Sequence, residues 1–129
     1  MLRALRTLCS VALLSAPLAV SGVSAKSPAE GSDSGLELVV VEAEGCIYCQ
    51  QFRRELLPAY EASEQAAKMP VHFIDINTLD AGPIDLTSEI TMVPTFLVVR
   101  SGHEIGRIPG YVAADTFFQS LGYLVGSAR

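Results

Sequence analysis

From Leu36 to Val41 (LELVVV) the chain is apolar with few breaks and rich in β-branched side chains. That pattern predicts a strand buried on both faces, as in the middle of a sheet. From Cys46 to about Lys68 the spacing becomes helical. Phe52, Leu56, Tyr60 and Ala67 fall near one face, while Gln50, Arg53, Glu61, Glu64 and Lys68 fall mostly elsewhere. Pro58 lies inside this run and has no N–H for the carbonyl of Arg54, so a kink or break is expected there. Val71 to Ile76 (VHFIDI) alternates and predicts a second strand. Asn77 to Thr91 is mixed, with a turn at Gly82-Pro83 and a short helix expected over Ile84 to Glu89. Thr95 to Arg100 (TFLVVR) and His103 to Ile108 flank Ser101-Gly102, which predicts a β-hairpin. Ala113 to Val125 reads as a closing helix with Phe117, Leu121 and Leu124 on its core side.

This order predicts an α/β fold. A right-handed βαβ unit comes first, then a β-hairpin and a helix, giving a central mixed sheet flanked by helices. The chain has 129 residues, room for one domain. The first 25 residues read differently from the rest. Arg3 and Arg6 open the chain, Leu8 to Val20 is apolar apart from Ser10 and Ser15, and Val23-Ser24-Ala25 offers small residues. A basic start, a short apolar run and a small-residue exit predict a secretory signal peptide cleaved after Ala25. Lys26 to Gly35 (KSPAEGSDSG) has no large apolar residue and is expected to be a flexible leader, with the domain over residues 36–129. Cleavage would remove Arg3, Arg6 and Cys9, so the acidic excess grows beyond the −5 of the whole chain. Such a charge disfavours nucleic acid and anionic lipid as partners.

The chemistry concentrates at Cys46-Ile47-Tyr48-Cys49, where a buried strand ends and a helix begins. Unsatisfied N–H groups and the helix dipole favour a thiolate at the first cysteine. Cys46 is the candidate attacking sulfur, and Cys49, one turn later on the same face, can displace a partner bound to it. Ile47 and Tyr48 are placed to touch that partner. Two other readings compete: half of a metal site, including a Cu(I)-carrying dithiol, and a static staple. The other soft ligands, His72 and His103, fall in two separate strands, so no metal is expected. No cofactor-binding signature is present.

With Val93-Pro94-Thr95 before strand TFLVVR, Gly110, and the helix AADTFFQSLGYLV, the chain resembles the thioredoxin superfamily over roughly residues 36 to 125. The resemblance implies a thioredoxin-like fold and thiol–disulfide exchange. It further implies that Pro94 is cis beside the cysteines and that Val93 presents its main chain to an extended partner segment. The signal peptide, size and CIYC motif are similar to the small periplasmic thioredoxins of bacterial sulfur-oxidation (Sox) systems. That likeness implies a monomer in the periplasm that reduces a disulfide or mixed disulfide on a partner protein such as the Sox carrier SoxYZ. Electrons would come from a membrane thiol relay.

Departures from the family pattern bear on its energetics. Gly45 stands where the reducing members have Trp, and there is no Trp in the chain. The buried Asp six residues before the first cysteine is replaced by Val40. Glu42 and Glu44 are candidates for its role, although solvated acids are the expectation, and any acid nearby opposes the thiolate. Arg53 and Arg54 are expected on a solvated helix face, and Tyr111 is expected to pack at the start of the last helix. The reverse reaction, a disulfide oxidant or isomerase, is the main alternative. The stretch between Asn77 and Asp85 is too short for the helical domain that dedicated oxidants of the superfamily carry.

Overall fold

The computed structural model describes residues 35–127; the predicted signal peptide and almost all of the leader lie outside them. The elements are β1 (Leu36–Glu42), α1 (Ile47–Gln51), a π-helical segment (Phe52–Leu56), α2 (Leu57–Glu61), α3 (Glu64–Lys68) and β2 (Val71–Asp75), then a 3-10 segment (Ile76–Ala81), β3 (Thr95–Arg100), β4 (His103–Pro109) and α4 (Ala114–Ser127). The sheet runs β2-β1-β3-β4, parallel between β1 and β2 and antiparallel elsewhere. It is the mixed sheet expected from the sequence. No helix among the described residues is long and apolar enough to cross a membrane.

The apolar run in β1 follows from its central place. Leu38 and Val40 enter one core with Phe52, Leu56, Tyr60, Phe96, Val98, Phe117 and Leu121. Val39 and Val41 enter the other with Leu79, Ile90, Leu97 and Val99. Alternate side chains of one strand thus serve both faces. The first core is dense in aromatic pairs: Phe52 meets Phe96 at 4.7 Å and Phe117 meets Phe96 edge-on at 5.0 Å between centroids. Such pairs each add about 0.5–1.5 kcal/mol beyond their buried area. Tyr60 is buried there with its hydroxyl donating to the Met69 carbonyl, and burial raises its pKa.

Two local expectations are corrected, and the irregularity expected at Pro58 takes a particular form. The long helix does not break there. It passes into the π-helical segment, where the Leu57 N–H donates to the Phe52 carbonyl, and Pro58 sits in the first turn of α2, where its missing N–H matters least. The break comes at Ala62-Ser63, where Ser63 caps α3 by accepting from the Ala66 N–H. That break resets the helical phase, so Ala66 packs on the core and Ala67 is exposed. Finally, Ile84–Glu89 is not helical. Its backbone is committed to β4 instead, the Asp85 N–H donating to Gly102 and the Glu104 N–H donating to Asp85, and the helical turn lies earlier, in the 3-10 segment.

This non-helical stretch is held by a buried ion pair. The Glu104 carboxylate accepts from Arg107 and from the Thr87 N–H, and Arg107 also donates to the carbonyls of Ser88 and Glu89. Burial by itself would raise the Glu104 pKa; the bonds from Arg107 and Thr87 outweigh it and leave the pKa lowered. Stability from this carboxylate is therefore full above the unfolded value of about 4.3 and is lost as pH falls through the lower folded value. Glu104→Gln is expected to cost about 2–3 kcal/mol at neutral pH, because it removes the counter-charge of Arg107 and weakens the bonds the carboxylate accepts, and to flatten the pH dependence of stability in acid. Urea unfolding at several pH values would measure both.

A second expectation concerns the turn between β1 and α1. Gly45 has φ +74, and a Cβ added there would meet nothing within 4 Å. Gly45→Ala should therefore cost only the left-handed backbone penalty, about 1 kcal/mol, in the same assay.

Candidate functional site

The carboxyl end of β1 points Glu42 at the site, the left-handed turn at Gly45 reverses the chain, and Cys46 becomes the N-cap of α1. This backbone explains the departure at Gly45, since a residue with a large side chain would be strained at that φ. Cys46 and Cys49 form a disulfide with Cα atoms 5.3 Å apart. The sulfurs have unequal surroundings. Cys46 is half-buried at the rim, whereas Cys49 is 3% exposed. Cys46 Sγ accepts from the Cys49 N–H at 3.1 Å, an interaction that strengthens when the sulfur carries charge.

The Val93–Pro94 peptide bond is cis, and the Val93 carbonyl oxygen lies 3.8 Å from Cys46 Sγ. Pro94 is buried and Val93 half-buried. Two bonds hold this segment: Thr95 Oγ1 donates to the Met92 carbonyl, and the Gly110 N–H donates to the Pro94 carbonyl. The four residues predicted around the cysteines are thus brought together, with Ile47 and Tyr48 open to solvent on the helix side and Val93 and Pro94 on the strand side.

Behind the disulfide lies a cavity of about 360 Å³ lined by Glu42, Glu44, Cys46, Cys49, Arg53 and Asp75, among others. Glu42 and Asp75 are opposed in the β1–β2 register. The Glu42 side chain, 23% exposed, accepts two bonds from Arg53, at 2.9 and 2.6 Å. These bonds raise the Arg53 pKa, and its guanidinium also lies 3.7 Å from the centre of the Phe73 ring. Glu42 is therefore not the solvated acid expected from sequence. It is the last residue of β1 and is paired to the helix that follows, while Glu44 is exposed as expected. Val40, fully buried in the apolar core, offers nothing to the cysteines.

The sequence reading missed Tyr111 as a site residue. Expected to pack at the start of the last helix, it lies partly buried against the core, and its ring stacks on Tyr48, with centroids 6.4 Å apart and planes at 19°. Its hydroxyl donates to Glu55 at 2.9 Å. The left-handed turn at Gly110 aims it there, and no periodic signal announces that direction. His72 pairs with Glu37 and His103 with Asp85, with His103 at the far end of the sheet from the cysteines. Among the described residues, no group of three His, Cys, Asp or Glu side chains is placed to hold a metal ion.

The chain matches the thioredoxin-like domain family over residues 25–124. Comparison with curated proteins gives no match. Among solved structures, the periplasmic thioredoxin SoxS from Paracoccus pantotrophus, in its reduced form, is 30% identical, with a TM-score of 0.68 over 73% of this chain and 99% of that one. The thioredoxin of Malassezia sympodialis is 13% identical over 72% of this chain and 77% of its own, with a TM-score of 0.55. The thioredoxin of Fasciola hepatica is 16% identical over 70% and 81%, with a TM-score of 0.52. The last two show the fold alone. With a disulfide across a CxxC pair at the head of a helix, beside a cis-proline that leads into the interior strand β3 of a mixed four-stranded sheet, the chain belongs to the thioredoxin-like family and is a thiol–disulfide oxidoreductase.

Proposed function

We propose that this protein is a periplasmic reductant of partner-protein disulfides, with Cys46 as the attacking sulfur and Cys49 as the resolving one. The observation that carries this reading is the inequality of the two sulfurs, one at the rim and one buried behind it. In the reduced protein, the Cys46 thiolate attacks a sulfur of the partner's disulfide. A mixed disulfide forms, and the partner's other sulfur leaves as a thiolate that takes a proton from water. Cys49, as thiolate, then attacks Cys46. The intramolecular disulfide closes, and the second partner sulfur departs and is protonated. The partner gains two electrons, and the protein ends in the disulfide form, to be reduced again by a thiol relay in the membrane. Ile47 and Tyr48 contact the partner, and the main chain of Val93, next to Pro94, is offered to its extended segment.

The local charge supports the reducing direction. Glu42, Glu44 and Asp75 share the cavity with the cysteines, and the charge of Arg53 is engaged by Glu42. Uncompensated acids disfavour a thiolate. A strong oxidant of this chemistry works by the opposite means, a stabilised reduced form. Likeness to the periplasmic thioredoxin SoxS supports placement in the periplasm, and the physiological task in this reading is reactivation of a sulfur-oxidising carrier such as SoxYZ. The family match beginning at residue 25 leaves the basic and apolar opening segment outside it, which supports a signal peptide over residues 1–25; the polar composition of residues 26–35 supports a leader there, ahead of a working domain over 36–129.

Cys49→Ser is expected to accumulate mixed disulfides through Cys46 on non-reducing gels, while Cys46→Ser accumulates none. If both variants behave alike, the assignment of roles is wrong. The reduction potential of the pair, measured against a glutathione series, is expected well below the roughly −180 mV of isomerases. A value near the roughly −120 mV of strong oxidants would mean that the disulfide is donated instead.

A further inference from the structure

The side of the site away from the acidic cavity has a different character. Four large apolar side chains stand out as exposed among the described residues, and three of them lie around the disulfide: Ile47 at 72%, Tyr48 at 60% and Met92 at 50%. Solvent exposure of this kind, gathered at one place, marks an interaction surface. Tyr111 completes the group from behind. Its ring lies nearly parallel to that of Tyr48, and its hydroxyl is bound to a Glu55 carboxylate that also accepts from Gln51 one helical turn earlier. With its polar end so engaged, Tyr111 presents ring rather than hydroxyl to the site. The two bonds to Glu55 lower its pKa, Gln51 first and Tyr111 second, so it remains the acceptor through neutral pH. Partial burial and Glu55 raise the Tyr111 pKa, so the phenol remains the donor.

We propose that Tyr48 and Tyr111 form a preorganised aromatic wall that seats an aromatic or long aliphatic side chain next to the partner's reactive cysteine. Glu55 is the positioning residue that holds Tyr111 in place. This rests on the redox reading above and deepens it, adding side-chain selectivity to main-chain pairing at Val93. The fit is to an apolar neighbour. Ile47 and Met92 extend the wall on the open side, and a flat pair of rings offers stacking and dispersion contact at little ordering cost. Placing a carboxylate at the tip of Tyr111 rather than at its face leaves that contact surface apolar.

The test uses two peptides that differ only in the residue beside their cysteine, Phe or Ser, each joined through a disulfide to the same small thiol. The ratio of their kcat/KM values is the readout, so any general loss of activity cancels. The wild type is expected to favour the Phe peptide by about tenfold, expressed mainly in KM. Tyr111→Ala should bring the ratio to within twofold of one. Glu55→Ala should lower it about threefold, and Glu55→Gln, which still accepts the phenol's hydrogen bond, should keep it. A wild-type ratio near one with both peptides reduced would overturn the wall and leave the redox reading intact, as would a ratio that survives Tyr111→Ala. Equal loss in Glu55→Ala and Glu55→Gln would remove Glu55 from the positioning role. Failure to reduce either peptide would remove the redox reading and the wall with it.

Discussion

Strand β1 has no solvent face. Leu38 and Val40 are sealed in one core and Val39 and Val41 in the other, each at most 1% exposed, while β2 and β3 take up both of its edges. A slip of one residue would exchange its two apolar sets between differently shaped cores and break two ladders at once. The strand is therefore fixed, and so is whatever leaves its carboxyl end. Glu42, the turn at Gly45 and the sulfur of Cys46 inherit a position that no local interaction of theirs would secure. Exchange chemistry needs this. One sulfur must be reachable, the other must wait within bonding distance, and both must be held by a scaffold that does not move as bonds are exchanged.

The site built on that end has two unlike sides. Toward β2 it is acidic and partly enclosed, with Glu42 held by Arg53 and Asp75 facing it across the sheet. Toward β3 and α4 it is apolar and open. The first side acts on the charge of the sulfurs and so on the balance between thiol and disulfide. The second acts on what can approach them. Separation of the two lets each be tuned without disturbing the other. It also explains how a chain without the family's buried acid can still surround its cysteines with carboxylates: they arrive from the strand ends rather than from within the strand.

Much of the fold was legible because its strongest signals are long and redundant. LELVVV could only be a doubly buried strand, and TFLVVR-SG-HEIGRI could hardly be anything but a hairpin; Ser101 and Gly102 close it with positive φ as such a turn demands. The cysteines and Val93-Pro94 were legible as a pair of motifs whose separation is set by the sheet. What escaped was phase and direction. Nothing in the helical periodicity reveals that a π-helical segment ahead of Pro58 keeps the helix running, or that Ser63 resets its face. The covering of the second sheet face by a 3-10 turn and loop, not an α-helix, depends on Asp85 pairing with a strand distant in sequence. Tyr111 escaped for a similar reason. A left-handed residue before it redirects the chain, and its partners, Tyr48 and Glu55, lie on an element far removed in sequence.

The stretch beside β4 carries a meaning unrelated to catalysis. An open-ended sheet displays unpaired amides and carbonyls at its two borders, and a second molecule can add a strand there. On the β4 border, Asp85 takes up the Gly102 carbonyl and the Glu104 amide before any neighbour can. On the opposite border, β2 is five residues long, enters from Pro70 and ends at Asp75. One border is occupied at its His103 end and the other is short and flanked by Pro70 and Asp75, so each offers an added strand less than a full-length edge to pair with.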